Sequence, residues 1–252
     1  MENIDYYRHW AAKRPTDDNL FLRHREKVIM RIFDNLPKQK HFKVLDLGCG
    51  YGRFLLAIKK KYGDYVTLFG LDSSRAEIKQ GKKLGLNLAY ANVQERTQFK
   101  DNYFDLITAA EIIEHLLNPD AFLLECNRTL KIGGYLIIST PNLCAWFNRI
   151  LLLFGSQPIF LEPSAKSKLI GAGFLKKFKK DSTPVGHIRI FTFNALRDLL
   201  EANGFRIIQK KGAIFDDGFP KAMWPIDKCF TIYPKLSSNL IIVAKKIGKP
   251  RI

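Results

Sequence analysis

The segment EIIEHL sets Glu111, Glu114 and His115 at i, i+3 and i+4, a spacing that would put all three on one face of a helix. A later histidine, His187 in GHIRIFT, is expected to return toward the same edge. Two carboxylates and two imidazoles form an oxygen- and nitrogen-rich set suited to a divalent metal. Without a metal, His115 or His187 can act as a general base beside Glu114, since imidazole changes charge close to neutral pH. A structural or orienting role is the third reading.

A partner for such chemistry would be held by VLDLGCGYGRF (Val44–Phe54), an apolar strand emptying into a glycine-rich turn that opens a helix near Arg53. Gly48, Gly50 and Gly52 allow positive φ and close approach of a ligand, and the first N–H groups of the helix point at the same place. The glycines alternate instead of following GxGxxG, and Asp46, two residues before the first, would repel a pyrophosphate. A carboxylate there suits a cofactor with a cationic end, and S-adenosylmethionine, with its ammonium and sulfonium, is one. A second strand, VTLFGLDSS, ends in Asp72 about twenty residues past the glycines, where a ribose-binding carboxylate belongs. Asp72, Ser73 and Ser74 also suit the N-cap of the helix that follows.

With FDLITAAEIIEHL, LKIGGYLIISTPN and GHIRIFTFNALRDLLEANGF behind them in order, these segments resemble the class I S-adenosylmethionine-dependent methyltransferases over roughly residues 40 to 212. The resemblance implies methyl transfer from that cofactor. It assigns Asp46, Gly48, Cys49 and Gly50 to the methionine moiety, Asp72 to the ribose hydroxyls and Ser73 to the adenosine. Many members carry an acid for the adenine amino group at the end of the third strand; here the segment is ANVQE, so Asn92 and Val93 take that place. Ala110 and Glu111 are implied to line the cofactor's other side. The ExxEH string with a later histidine is similar to the ubiquinone-pathway O-methyltransferases and the small-RNA 3′-end 2′-O-methyltransferases, where a comparable divalent-metal site is found. Many relatives with the same string use no metal. The NPPY-like tetrad of amino-group base methyltransferases is absent, the chain having AAEII there. A cytosine-C5 enzyme needs a nucleophilic cysteine, for which Cys144 is loosely placed; Cys144 and Cys49 read as small packing residues.

The elements needed to position these residues are those of a doubly wound, mostly parallel seven-stranded α/β sheet, Rossmann-like. Strands are predicted at about 43–47, 66–71, 87–92, 104–109, 134–140, 206–210 and 239–245. The family implies that the last, NLIIVAKK, inserts antiparallel. Across 252 residues we expect one methyltransferase domain: a helical N-terminal cap (1–42), a cofactor-binding core (43–142), a substrate-covering insertion (143–190) and the end of the core (191–252). The cap is marked by Val28, Ile29, Ile32, Phe33 and Leu36 at helical spacing. In the insertion, Trp146, Phe147, Ile150, Leu151 and Leu153 also fit a membrane-interface face, with the lysines that follow turned to anionic headgroups.

Composition is that of a globular chain, 46% hydrophobic and 26% charged, with a net charge of +17. The cations are dispersed through KKKY, KQGKK and LKKFKK, which read as solvated faces, with RNA or an anionic membrane as the other partners open. Four scattered cysteines form no CxxC pair, and MENIDYYRHW lacks the apolar run of a signal peptide, so the expectation is a cytoplasmic protein without a transmembrane segment. The expected activity is O-methylation of a small acceptor, apolar or ring-shaped, lipid-linked or sugar-containing. An RNA 2′-O-methyltransferase and a non-catalytic scaffold are the alternatives.

Overall fold

A computed structural model describes residues 22–173, 176, 182–216 and 218–250. Strands β1 (Phe42–Leu47), β4 (Phe104–Ala110) and β7 (Asn239–Lys246) are buried along nearly their full length, as is the second half of β5 (Leu130–Pro141). Burial on both faces demands the near-continuous apolar runs these strands carry. With β2 (Val66–Asp72), β3 (Leu88–Tyr90) and β6 (Phe205–Ala213) they form one sheet in the order β3-β2-β1-β4-β5-β7-β6. β1 to β5 pair in parallel, and β7 runs antiparallel between β5 and β6.

Alternating side chains send the strands' apolar groups to two helical layers. Val44, Leu106 and Ile137 meet α1 (His24–Asn35) and α2 (Arg53–Tyr62) through Ile29, Ile32, Phe33, Phe54 and Ile58. Their neighbours Leu45, Ile107 and Ile138 meet α4 (Pro119–Thr129) and α6 (Phe193–Ala202) through Phe122, Leu123, Leu196 and Leu200. α3 (Arg75–Lys83) packs Ile78 with Leu55, Leu86 and Leu88. Two further helices, α5 (Trp146–Leu153) and α7 (Trp224–Phe230), cover the end of β5. Strand order reverses between β1 and β4, and the crevice outside their carboxyl ends is where open α/β sheets take their ligands.

The seven strands lie where they are predicted but differ in extent: β3 covers Leu88–Tyr90 alone, β6 runs on to Ala213, and β5 starts early. β5 begins at Leu130, well before residue 134, because Gly133 at φ +80° lets the chain bend while staying in the sheet. Helix α1 carries the Val28–Leu36 pattern, with Ile29, Ile32 and Phe33 buried; the rest of the proposed cap, residues 1–21, lies outside the described residues. So does LKKFKK, apart from Lys176. Among the described residues no helix is long and apolar enough to cross a membrane.

Candidate active site

The turn after β1 is a tight cradle. Gly48, Gly50 and Gly52 have φ of +71°, +55° and +87°. A Cβ on Gly48 would lie 2.0 Å from Ile112 Cδ1, and one on Gly52 2.3 Å from Leu86 Cδ1, so a side chain at either would strain the backbone and push Ile112 or Leu86 aside. Gly52 opens α2 with no side-chain cap, leaving the helix's first N–H groups for a ligand. Asp72 closes the cradle from the end of β2: one oxygen accepts the Gly50 N–H at 2.8 Å and the other the Ser74 N–H at 2.7 Å. Each oxygen retains a lone pair for a hydroxyl donor. Ser74 is the N-cap of α3, accepting from Glu77 N–H, and Ser73 beside it is exposed. These features fit an adenosine-bearing cofactor.

Two side chains at this end already have protein partners. Asp46 is buried, accepts the Thr108 hydroxyl at 2.6 Å, and lies opposite Thr108 in the sheet register. Burial raises its pKa to about 7, and the Glu26 and Asp72 charges add to that rise. Asn92 is exposed; its Nδ2 donates to Glu95 and its Oδ1 accepts the Gln94 N–H at 3.1 Å, which leaves that oxygen one lone pair for a ligand donor. Val93 is half-buried against the core. Cys49 is buried with its thiol on the Gly50 carbonyl, and desolvation pushes its pKa up, as a packing residue rather than a nucleophile requires.

Around EIIEHL the predicted helical face does not form. Glu111 extends the sheet, its N–H donating to the Ser139 carbonyl, and then takes φ +58°. A single 3₁₀ turn (Ile113–His115) follows, and a helix starts only at Pro119, capped by Asn118. Glu111 is thereby turned aside to Ser139 Oγ at 2.9 Å, next to half-buried Ala110 at the end of β4. What the turn assembles is three of the four proposed residues: ligand atoms of Glu114, His115 and His187 all lie within 4.8 Å of one another.

The electrostatics of this trio follow from burial. Glu114 is fully buried; one carboxylate oxygen accepts the Thr140 hydroxyl at 3.0 Å, and the other, Oε1, has no hydrogen-bond partner. Desolvation, with the charge of Glu111, raises its pKa well above the usual carboxylate range. The imidazoles pack with centroids 5.0 Å apart. His115 Nδ1 is 3.0 Å from the Gly186 carbonyl and His187 Nδ1 is 3.0 Å from the Phe160 carbonyl. A carbonyl only accepts, so both rings carry their proton on Nδ1 and the lone pair on Nε2. Burial lowers both pKa values, that of His187 to about 4 with the His115 charge contributing, so both rings are neutral at physiological pH. A buried carboxylate oxygen without a hydrogen bond, 3.9 Å from His115 Nε2 and beside imidazoles oriented by backbone carbonyls, fits a divalent cation.

The insertion supplies Phe147 and Phe160 to an aromatic wall beside this trio, and the end of the core supplies Phe215 and Phe219. Phe147, Phe160, Phe215 and Phe219 form an aromatic cluster, and the Phe160 ring lies 6.4 Å from that of His187. α5 does not present the expected apolar face as a unit: Phe147 and Leu151 are buried, and Trp146 stacks on Phe230 and donates its indole N–H to Asp227. The outward residues are Ile150, Leu152, Leu153 and Phe154, the last two 84% and 76% exposed. The cations of KQGKK line a groove with Arg75 and Tyr90 at the β3 edge, separated from β4 by β2 and β1, and so do not lead to the trio.

Residues that the sequence reading passed over complete the picture. Thr108 holds the Asp46 carboxylate from the adjacent strand, a pairing visible only once the register is known, and Thr140 binds one oxygen of Glu114. Glu162 holds the returning limb of the insertion, and its signal was present: it is the single acid between residues 143 and 173.

Residues 21–210 match the family described as a methyltransferase domain. The chain belongs to that family, and together with its sheet topology this makes it a class I S-adenosylmethionine-dependent methyltransferase. It is 27% identical over 182 residues to a ubiquinone biosynthesis O-methyltransferase of Dinoroseobacter shibae, covering 70% of this chain and 65% of that one. It is 30% identical over 147 residues to a demethylmenaquinone methyltransferase of Staphylococcus aureus, covering 55% and 61%. The chain thus spans less than two thirds of the length of these curated relatives. A solved SAM dependent methyltransferase from Archaeoglobus fulgidus shares the fold at a TM-score of 0.60 and 20% identity, over 96% of this chain and all of that one.

Proposed function

We propose that this protein transfers the methyl group of S-adenosylmethionine to a hydroxyl oxygen of a small, ring-bearing, largely apolar acceptor. The observation that carries this reading is the pair of neutral imidazoles with Nδ1 tied to carbonyls, set between buried Glu114 and the aromatic cluster. Quinone-type substrates in the names of two relatives are in keeping with such a pocket. In the reaction proposed, the acceptor oxygen attacks the methyl carbon in line, the C–S bond breaks with its electrons going to sulfur, and the hydroxyl proton passes to Nε2 of His187. The enzyme's main contribution is alignment, with His115 and Glu114 holding His187 in place. Glu114, His115 and His187 could instead hold a divalent cation, which when bound supplies a Lewis acid for the acceptor oxygen. The test is transfer of labelled methyl to catechol, with and without chelator. Transfer that survives chelation supports His187 as base, loss restored by magnesium assigns the trio to a metal, and failure with every hydroxyl acceptor tried defeats the reading.

The cofactor is proposed to lie over Gly48, Cys49 and Gly50, with its ribose on Asp72, adenosine by Ser73, Asn92 and Val93, and Ala110 and Glu111 on the other side. Its cationic end then favours ionised Asp46, whose pKa lies near 7 in the free protein. A cation stabilises the carboxylate, so binding at pH 6 must first remove a proton. Affinity is therefore expected to fall as the pH drops from 8 to 6, and calorimetry in buffers of different ionisation enthalpy should register proton release near neutrality. Affinity flat across that range would separate Asp46 from the cofactor.

An anionic membrane is proposed as the surface from which an apolar acceptor is taken. Leu153 and Phe154 are exposed, and Arg149, Lys166 and Lys168 flank them in sequence. Cosedimentation with phosphatidylglycerol vesicles is expected at low salt, falling at high salt and with Leu153→Asp/Phe154→Asp. Equal recovery with and without vesicles would remove this proposal.

A further inference from the structure

Glu162 is a carboxylate for which methyl transfer itself has no use. Its Oε1 accepts the Val185 N–H at 2.7 Å, and its Oε2 accepts the N–H of Gly186 at 2.7 Å and of His187 at 3.3 Å. Successive backbone N–H groups turned onto one acceptor make a nest, a concavity that binds anions. Gly186, at φ +87°, supplies the bend that turns them inward. The side chain of Glu162 thus occupies the nest as a tethered anion.

Both imidazoles are hung from the two sides of that contact. The Gly186 carbonyl, in the nest itself, accepts His115 Nδ1–H. His187 is the last residue of the nest, and its ring donates to the carbonyl of Phe160, two residues before Glu162. Beyond the nest, the N–H groups of Ile188 and Arg189 donate to the Glu114 carbonyl at 2.8 and 3.0 Å. The segment 185–189 is thereby clamped between Glu162 and the 3₁₀ turn that carries Glu114 and His115. These two attachments set the separation of the rings, and the Nδ1 contacts they make possible set the tautomer.

We infer that Glu162 is a positioning residue for the proposed transfer: by filling the nest at 185–187 it fixes the spacing and tautomer of His115 and His187 without touching cofactor or acceptor. The inference rests on the reading of these histidines as the acceptor side of the site. The sheet and its helical layers are held by other contacts, so losing the carboxylate should loosen this edge and leave the cofactor cradle intact.

The experiment compares the full-length parent with Glu162→Ala and Glu162→Gln. Proton–nitrogen NMR of imidazole-labelled protein is expected to show protected Nδ1–H signals for His115 and His187 in the parent and their loss to exchange in Glu162→Ala. Turnover with catechol should fall about 10- to 100-fold, the scale seen when a group orienting a site histidine is removed. Affinity for S-adenosylmethionine should be unchanged, since the cradle is untouched. Acetate at constant ionic strength is expected to refill the nest in Glu162→Ala, restoring turnover and the two signals. Glu162→Gln, which sets an amide N–H among the donors, should resemble alanine without responding to acetate. Unchanged signals in Glu162→Ala would overturn the inference. So would a loss of turnover accompanied by an equal loss of cofactor affinity and unresponsive to acetate, which marks general damage. If the parent methylates no hydroxyl acceptor, the functional reading fails alone and the signals still decide the role of Glu162.

Discussion

His187→Ala is expected to lower kcat for methyl transfer by about 10²- to 10⁴-fold, the range supplied by a positioned general base. Affinity for S-adenosylmethionine should barely change, because the ring sits with Phe160 and His115 and not in the glycine turn. The size of the effect follows from the tautomer. With Nδ1 committed to the Phe160 carbonyl, Nε2 is the one basic nitrogen the ring can offer, and Glu114 is no substitute, since burial biases it toward its protonated form. Steady-state kinetics at saturating cofactor checks this. A kcat within tenfold of the parent would deny His187 the proton-transfer role.

Asp72→Ala should weaken cofactor binding by about 1.5–3 kcal/mol, the range of hydrogen bonds to a charged group, or roughly 10- to 150-fold in Kd. Two causes act together. The ribose hydroxyls lose their acceptor, and the N–H groups of Gly50 and Ser74, both held by that carboxylate, lose theirs, so the turn that cradles the ligand is no longer pinned to β2. Isothermal titration gives the difference directly, and thermal melting of the unliganded variant separates the second cause from the first. A variant binding as tightly as the parent would mean that the ribose lies elsewhere.

The parts of this molecule that could be read from sequence are those governed by neighbours in the chain. Val44, Leu45 and Leu47 are apolar because a central parallel strand is buried on both faces, and the alternating glycines after it signal the cradle before any contact is known. Asp72 is found by its distance from those glycines. EIIEHL misleads because i, i+3, i+4 spacing is consistent with a helix, whereas Glu111 is held in the sheet by Ser139, a residue 28 positions away. The pairing of Asp46 is hidden for a similar reason: its Thr108 partner lies on a neighbouring strand. The insertion is least readable, since the positions of Phe160, Glu162 and His187 depend on backbone contacts between segments that no local pattern encodes.

The assignment as a whole depends on a single ligand in the turn after β1. Titration of the purified protein with S-adenosylmethionine, S-adenosylhomocysteine and NADH in a calorimeter tests that most directly. One molecule of either adenosyl compound per chain, with NADH silent, is the expected result. Heat from NADH, or none from either adenosyl compound, would contradict it.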